Sequence, residues 1–199
     1  LSQFNKIKIY TEENIISKNA RIAESVEFIG KGIVIEENVL IEPLVTIFEG
    51  TVINRNSIIR SGARIGAEQL EIKHDENNEI FTVTHGGGCI IDEGVEIGYN
   101  SVVDRGLFSQ LSTKISKNTK IGSHVLIGHG SKIGENNKIM SGVIIGGSTN
   151  IGDNNWIGAN SVISNQLSIE NNTHIAMGST LFEDLYDNFS YINNRLLKN

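Results

Sequence analysis

Isoleucine stands at positions 115, 121, 127, 133, 139, 145, 151, 157, 163, 169 and 175, and Leu181 keeps the register. A helix repeats at 3.6 and a strand alternates at two, so a strict six is a superstructural repeat. The units read Ile-Gly-x-x-small-x, as in Ile121-Gly122-Ser123-His124-Val125-Leu126 and Ile133-Gly134-Glu135-Asn136-Asn137-Lys138. Each unit offers one large inward side chain and a second, smaller one. It then turns at Gly or Asn, which tolerate the left-handed backbone region. Three units close a turn of about eighteen residues, so positions eighteen apart stack and the isoleucines form internal ladders. β-Branched residues suit such pleated, buried surfaces. The pattern predicts an all-β coil of very short strands.

Upstream the period is less regular. Residues 1–15 precede it, and Ile7 and Ile9 are expected to form one capping strand. Ile16 and Ile22 open the repeat; one extra residue shifts it, and Ile29, Ile35, Ile41, Ile47, Ile53, Ile59 and Ile65 follow at sixes. Pro43 falls at a corner, where a missing N–H matters little. After Ile65-Gly66 the period breaks, returning at Ile91, Ile97 and Val103. Long loops leaving a rigid scaffold tend to carry function, which singles out the loop at about 67–90. Its charged centre, Lys73 to Glu79, reads as a hairpin tip, and Gly86-Gly87-Gly88 as a place of close backbone approach. A second irregularity runs from Asp104 to Thr113, with Ser109 in an aliphatic slot. The repeat ends after Gly178-Ser179, giving a coil over 1–181 and a tail over 182–199. The spacing of Phe182, Leu185, Tyr186 and Phe189 fits an amphipathic helix.

Composition agrees with one domain of corners and ladders: one Pro, 21 Gly, 23 Asn and 6% aromatics. The net charge of −6 argues against nucleic acid as a general partner. Locally, Arg105, Lys114, Lys117, Lys120, Lys132 and Lys138 face only Glu135. That excess reads either as a solvated surface or as a rim for a phosphate-bearing donor. Cys89 is the only cysteine, which excludes an internal disulfide and fits a reducing cytoplasm. No signal peptide and no apolar run near 18 residues is visible, so no membrane partner is expected. The five histidines are scattered, and no spacing brings two of them to one face with a carboxylate, so no metal site is expected.

The hexapeptide pattern resembles the left-handed parallel β-helix acyltransferases. The left hand is implied by that resemblance alone, because the general crossover rule favours the right. The order Ile65-Gly66, a loop, Ile91-Asp92, Val95-Glu96-Ile97-Gly98, Val103-Asp104-Arg105-Gly106, Ile127-Gly128-His129, Gly146-Gly147-Ser148 and Trp156-Ile157-Gly158 is similar to the UDP-3-O-acylglucosamine N-acyltransferases of lipid A synthesis. The chain also resembles N-acetyltransferases that act on nucleotide-linked amino sugars for surface glycans. The tail from Gly178 to Lys198 is similar to the closing segment of hexapeptide sugar acetyltransferases, with Asn193-Asn194-Arg195 where those often carry Gly-Asn-Pro. That likeness implies an extended tail instead of a helix. The resemblance further implies a homotrimer with sites between subunits and no tightly bound cofactor. The expected donor is acyl-CoA, with acetyl-CoA foremost, or acyl carrier protein, and the acceptor is the amine of a nucleotide sugar. Sugar O-acylation and a non-catalytic assembly module are the competing readings.

His129 occupies the catalytic position of the resemblance. An ammonium does not attack a thioester, and a neutral imidazole, ordinarily titrating near about 6.5, can take the proton. Gly147, eighteen residues on, stacks on it and matches the oxyanion donor, whose N–H can contribute roughly 3 kcal/mol. His85 and Gly87 are expected at the acceptor. Asp104 and Arg105 read as an ion pair with a glycine turn, or as acceptor contacts. Lys132, Lys138 and Trp156 are the donor-side candidates, Trp156 also fitting a subunit contact. His124 reads as solvated surface, while His74 and His174 have no chemical neighbour in the sequence.

Overall fold

The computed structural model describes residues 12–192 and 195–198. The strand expected at Ile7 and Ile9, and the Asn193-Asn194 pair, lie outside them. No α-helix occurs among the described residues. The six-residue unit becomes a two-residue strand ending on the inward isoleucine, as in Lys120–Ile121 and Leu126–Ile127, followed by a turn. Asn118, Asn136, Asn154 and Asn172 take φ between 56° and 60° at one column of turns, which is what the asparagine-rich composition supplies.

Successive strands build three parallel sheets, the faces of a left-handed prism. Ile115, Ile133, Ile151 and Ile169 pair in register on the first face. On the second, Ile121, Ile139, Ile157 and Ile175 do so. Ile127, Ile145, Ile163 and Leu181 make the third ladder. All twelve are at most 4% exposed, and each contributes roughly 1.5–3 kcal/mol by burial. Between them the smaller inward positions hold Ser131, Thr149, Asn137 and Val143, also buried.

The N-terminal register differs from expectation in one respect. Phe28, not Ile29, pairs with the buried Ile47; Ile29 is 46% exposed. The six-residue step therefore persists through Ile22 and Phe28. The extra residue lies after them, where Gly30 (φ 86°) and Gly32 (φ 69°) open a wider turn.

Every interruption falls on the edge joining the third face to the first. The 67–90 loop leaves strand Arg64–Ala67 of the third face and re-enters at Gly88–Ile91 of the first. Ile72–His74 and Ile80–Thr82 pair antiparallel within it, and Asp75 accepts from the N–H groups of Asn77 and Glu79 at the tip. The second irregularity leaves Val102–Asp104 and re-enters at Ser112–Ile115 on the same edge. Ser109 thus fills no ladder slot; residues 105–111 are a loop. The tail makes no helix among the described residues. Leu185, 1% exposed, bridges Ile169, and Phe189–Ile192 pairs with His174–Ile175, adding one more turn. Phe182, which a helical face would have buried, is 78% exposed.

Candidate active site

His129 occupies the turn between Leu126–Ile127 and Lys132–Ile133, on the edge that carries both loops. Gly130 turns the chain at φ 68° and donates its N–H to Thr113 Oγ1 at 2.8 Å, while the His129 carbonyl accepts from the Ser148 N–H at 2.7 Å. The corner is thereby fixed from both adjacent coils.

The three edges are not chemically equivalent. On the first-to-second edge successive turns are capped by the coil above: Asn171 Oδ1 accepts the Asp153 N–H, and Asp153 Oδ1 the Glu135 N–H, both at 2.7 Å. On the second-to-third edge Ser141 Oγ accepts from the Ser123 N–H at 3.2 Å. On the third-to-first edge the capping position above His129 is Gly147, which has no side chain. The imidazole fills that space instead, since a Cβ on Gly147 would lie 2.6 Å from His129 Nε2. The Gly147 N–H donates to no group among the described residues. An imidazole therefore stands beside an open backbone N–H on an accessible corner.

The hairpin brings the carboxylate that the sequence did not place. Glu71 Oε2 lies 3.8 Å from His129 Nε2, an ion-pair distance too long for a hydrogen bond. Its other oxygen binds Lys73 Nζ at 2.6 Å, and that bond, foremost, holds the Glu71 carboxyl below its usual range. His85 meets the His129 ring edge-on, with centroids 5.5 Å apart. It is 1% exposed, so in this conformation it does not reach an acceptor. Gly87 does mark a close approach: a Cβ there would lie 2.1 Å from the Leu111 carbonyl oxygen. Its contacts are to the second loop.

Asp104 and Arg105 do not form the expected ion pair. Arg105, 3% exposed, donates to Glu49 Oε1 at 2.9 Å, Glu68 Oε1 at 3.4 Å and the Gly87 carbonyl at 3.0 Å, tying both loops to the coil. Asp104 faces inward with neither oxygen hydrogen-bonded, and burial pushes its carboxyl up to about 8. Asp104 ends its strand, whereas Arg105 opens the loop and turns to Glu49, Glu68 and Gly87 instead. Cys89 is buried, and burial pushes its thiol up to about 12, so it supplies no thiolate.

Of the three donor-side candidates, Lys138 and Trp156 are brought together and Lys132 is not. Lys132 lies on the first face beside the His129 corner and donates to the Ser112 carbonyl; burial, then Lys114, lowers its pKa. Lys138 and Trp156 lie on the second face, opposite the His129 edge, with the ammonium 5.8 Å from the indole centroid and His174 stacked 6.4 Å beyond. The basic excess is thus split between two faces and partly paired, Lys114 with Asp92 and Lys117 with Glu93. His124 is an exposed corner residue and His74 sits on the hairpin. Among the described residues no three potential ligands gather around a metal-sized space.

A model of the bacterial transferase hexapeptide repeat (six repeats) matches residues 32–67, 112–147 and 148–183. The chain belongs to the bacterial transferase hexapeptide family. The matched segments hold the ladders and, in 112–147, both His129 and Gly147. Within the family, the chain is similar to UDP-3-O-acylglucosamine N-acyltransferases. It is 34% identical over 90 residues to that of Wolinella succinogenes, covering 45% of this chain and 28% of the relative. With that of Coxiella burnetii the figures are 33% over 139 residues, 58% and 40%. The chain thus spans less than half the length of these relatives. Among solved structures, Francisella novicida UDP-N-acetylglucosamine acyltransferase superposes with a TM-score of 0.74 at 23% identity, over 94% of this chain and 68% of that one. At that identity the likeness shows the hexapeptide β-helix fold alone.

Proposed function

We propose that this hexapeptide protein is an N-acyltransferase that moves an acyl group, most simply acetyl, from a thioester to the amine of a nucleotide-linked amino sugar. The observation that carries the reading is the uncapped corner: the His129 imidazole packed over Gly147, whose N–H is open. The chemistry follows from that geometry. His129 takes a proton from the acceptor nitrogen as it attacks the thioester carbon. The oxygen of the tetrahedral intermediate is stabilised by the Gly147 N–H. Collapse breaks the C–S bond, and the imidazolium protonates the departing sulphur. Glu71, 3.8 Å away, lowers the energy of the charged imidazolium.

The relatives named for acylating a glucosamine nitrogen support an amino-sugar acceptor carried on UDP. The hairpin that delivers Glu71 would border that acceptor. For the donor, Lys132 beside the corner suits the phosphates of CoA, and no cofactor need be retained between turnovers. We place the site in a homotrimer in which a neighbouring second face, with Lys138 and Trp156, lines the groove. Val102, Leu126, Ile144 and Val162 form an outward apolar ladder on the third face, Ile144 being 42% exposed, which favours self-association. Light scattering should give about three times the chain mass of 21.8 kDa. No helix of the described residues is long and apolar enough to cross a membrane. CoA thioesters and nucleotide sugars place the reaction in the cytoplasm.

The same corner would serve a hydroxyl acceptor, so the decisive test is an acceptor panel. UDP-linked amino sugars and their N-acetylated, hydroxyl-only counterparts are incubated with acetyl-CoA, and thiol release is followed. Turnover confined to free amines is the expected result. Turnover confined to hydroxyls would convert the reading to O-acylation, and thiol release with neither would point to an assembly module.

A further inference from the structure

On the two edges away from His129, side chains of one coil close backbone N–H groups of the coil below. Asp187 Oδ1 accepts the Asn171 N–H, Asn171 Oδ1 that of Asp153, and Asp153 Oδ1 that of Glu135, each at 2.7 Å. Ser141 Oγ does the same for the Ser123 N–H at 3.2 Å.

The residue that stands in this capping position over Gly147 is Asn165. Ile145 pairs with Ile163, and the interval from Gly147 to Asn165 is the one from Asp153 to Asn171. The two turns touch: a Cβ on Gly146 would lie 2.4 Å from the Asn165 nitrogen, and the Gln166 N–H donates to the Gly147 carbonyl at 2.9 Å. Asparagine is the residue type that caps Asp153, yet Asn165 leaves the Gly147 N–H open. Its Oδ1 accepts instead from Ser164 Oγ at 3.3 Å. With Oδ1 engaged there, the free end of the carboxamide is Nδ2, which carries two N–H donors. The side chain is exposed, and Nδ2 bonds no group among the described residues.

We propose that Asn165 is a second oxyanion donor, its Nδ2–H joining the Gly147 N–H on the thioester oxygen. As the free amine attacks the thioester carbon, the C=O electron pair moves to oxygen, where both donors meet the new charge. His129 takes the amine proton. The pair then returns from oxygen, the C–S bond breaks, and the imidazolium protonates the departing sulphur. Ser164 holds Oδ1 away from the Gly147 N–H, so the corner stays uncapped. This inference rests on the N-acylation reading.

Two variants at this exposed position test the role, and both should melt within about 2 °C of wild type. Asn165→Ala should lower kcat for acetyl transfer to UDP-glucosamine by about tenfold to a hundredfold, with the acceptor KM within about twofold. Asn165→Asp is isosteric but can cap Gly147 as Asp153 caps Glu135, so it should be slower still. Acetyl-CoA labelled with carbon-13 at the carbonyl should resonate downfield of the free thioester when bound to wild type. Asn165→Ala should lose part of that displacement. Turnover of either variant within about threefold of wild type, or a carbonyl resonance that the substitution does not move, overturns the proposal. Failure of the N-acylation reading looks different. The wild type would then leave UDP-glucosamine untouched, while the carbonyl resonance still decides the role of Asn165.

Discussion

Residues 115–181 and residues 28–115 are wound on the same prism, yet they solve different problems. In the C-terminal stack every step is six, every ladder slot is aliphatic, and turns on the first-to-second edge are capped from coil to coil, while the His129 corner is not. In the N-terminal stack the ladders persist while the chain departs after Phe28, Ala67 and Asp104, always at the third-to-first edge. A repeat tolerates insertions at a corner because the strands on either side keep their register. Confining them to one edge lets loops from one stack overhang a corner of the other. Glu71 and His85 come from the irregular half; His129 and Gly147 come from the regular half.

Breaking a ladder should separate the halves most sharply. Ile145→Ala, in the middle of the regular stack, should destabilise by about 2–5 kcal/mol, the usual cost of a large buried cavity. Phe28→Ala, at a half-buried position near the end of the stack, should cost clearly less by denaturant titration. Equal losses would mean that the ladder is not the common source of stability.

Asp104 offers a pH-dependent contrast. Its carboxyl is pushed up to about 8 by burial, so between the ordinary carboxylate range and that pH the folded chain holds a proton that the unfolded chain has lost. Its contribution is complete at low pH and declines as pH rises toward about 8. Asp104→Asn should flatten that decline, gaining on wild type by on the order of a few kcal/mol between about pH 5 and about pH 8.5. Parallel stability curves would show that Asp104 has a partner it lacks here.

The smallest effect on stability is expected at the hairpin tip. Replacing 75–79 with Asn-Gly, a two-residue turn compatible with the antiparallel pair, should leave the melting temperature within about 2 °C. It should raise the acceptor KM several-fold and leave the acetyl-CoA KM unchanged. An unchanged acceptor KM would reduce the hairpin's role to supplying Glu71.

Much of this was legible in the sequence because a period of six fixes three faces, and an interval of eighteen fixes which residues stack. That is how His129 and Gly147 were paired without any structure. The period says nothing about segments that leave it. Glu71 was invisible for that reason: its approach to His129 depends on the hairpin's exit angle, which no ladder encodes. The tail stayed open between helix and extended chain because Phe182, Leu185, Tyr186 and Phe189 satisfy helical spacing, although Leu185 enters the first-face ladder and Phe189 opens a strand. Lys138 and Trp156 were grouped with Lys132 by charge and motif, whereas one step of six moves a residue to the next face.

The central claim is that the uncapped corner is where acyl transfer occurs, and Gly147→Ala tests it most directly. The backbone of Gly147 is not in the left-handed region, so alanine brings no backbone strain, but its Cβ would sit 2.6 Å from His129 Nε2. The imidazole must move and the N–H lose its approach. Thiol release from acetyl-CoA in the presence of the amine acceptor should fall by about 10²–10³ with melting unchanged. Near-normal turnover in a variant that folds normally would place the chemistry elsewhere on the prism.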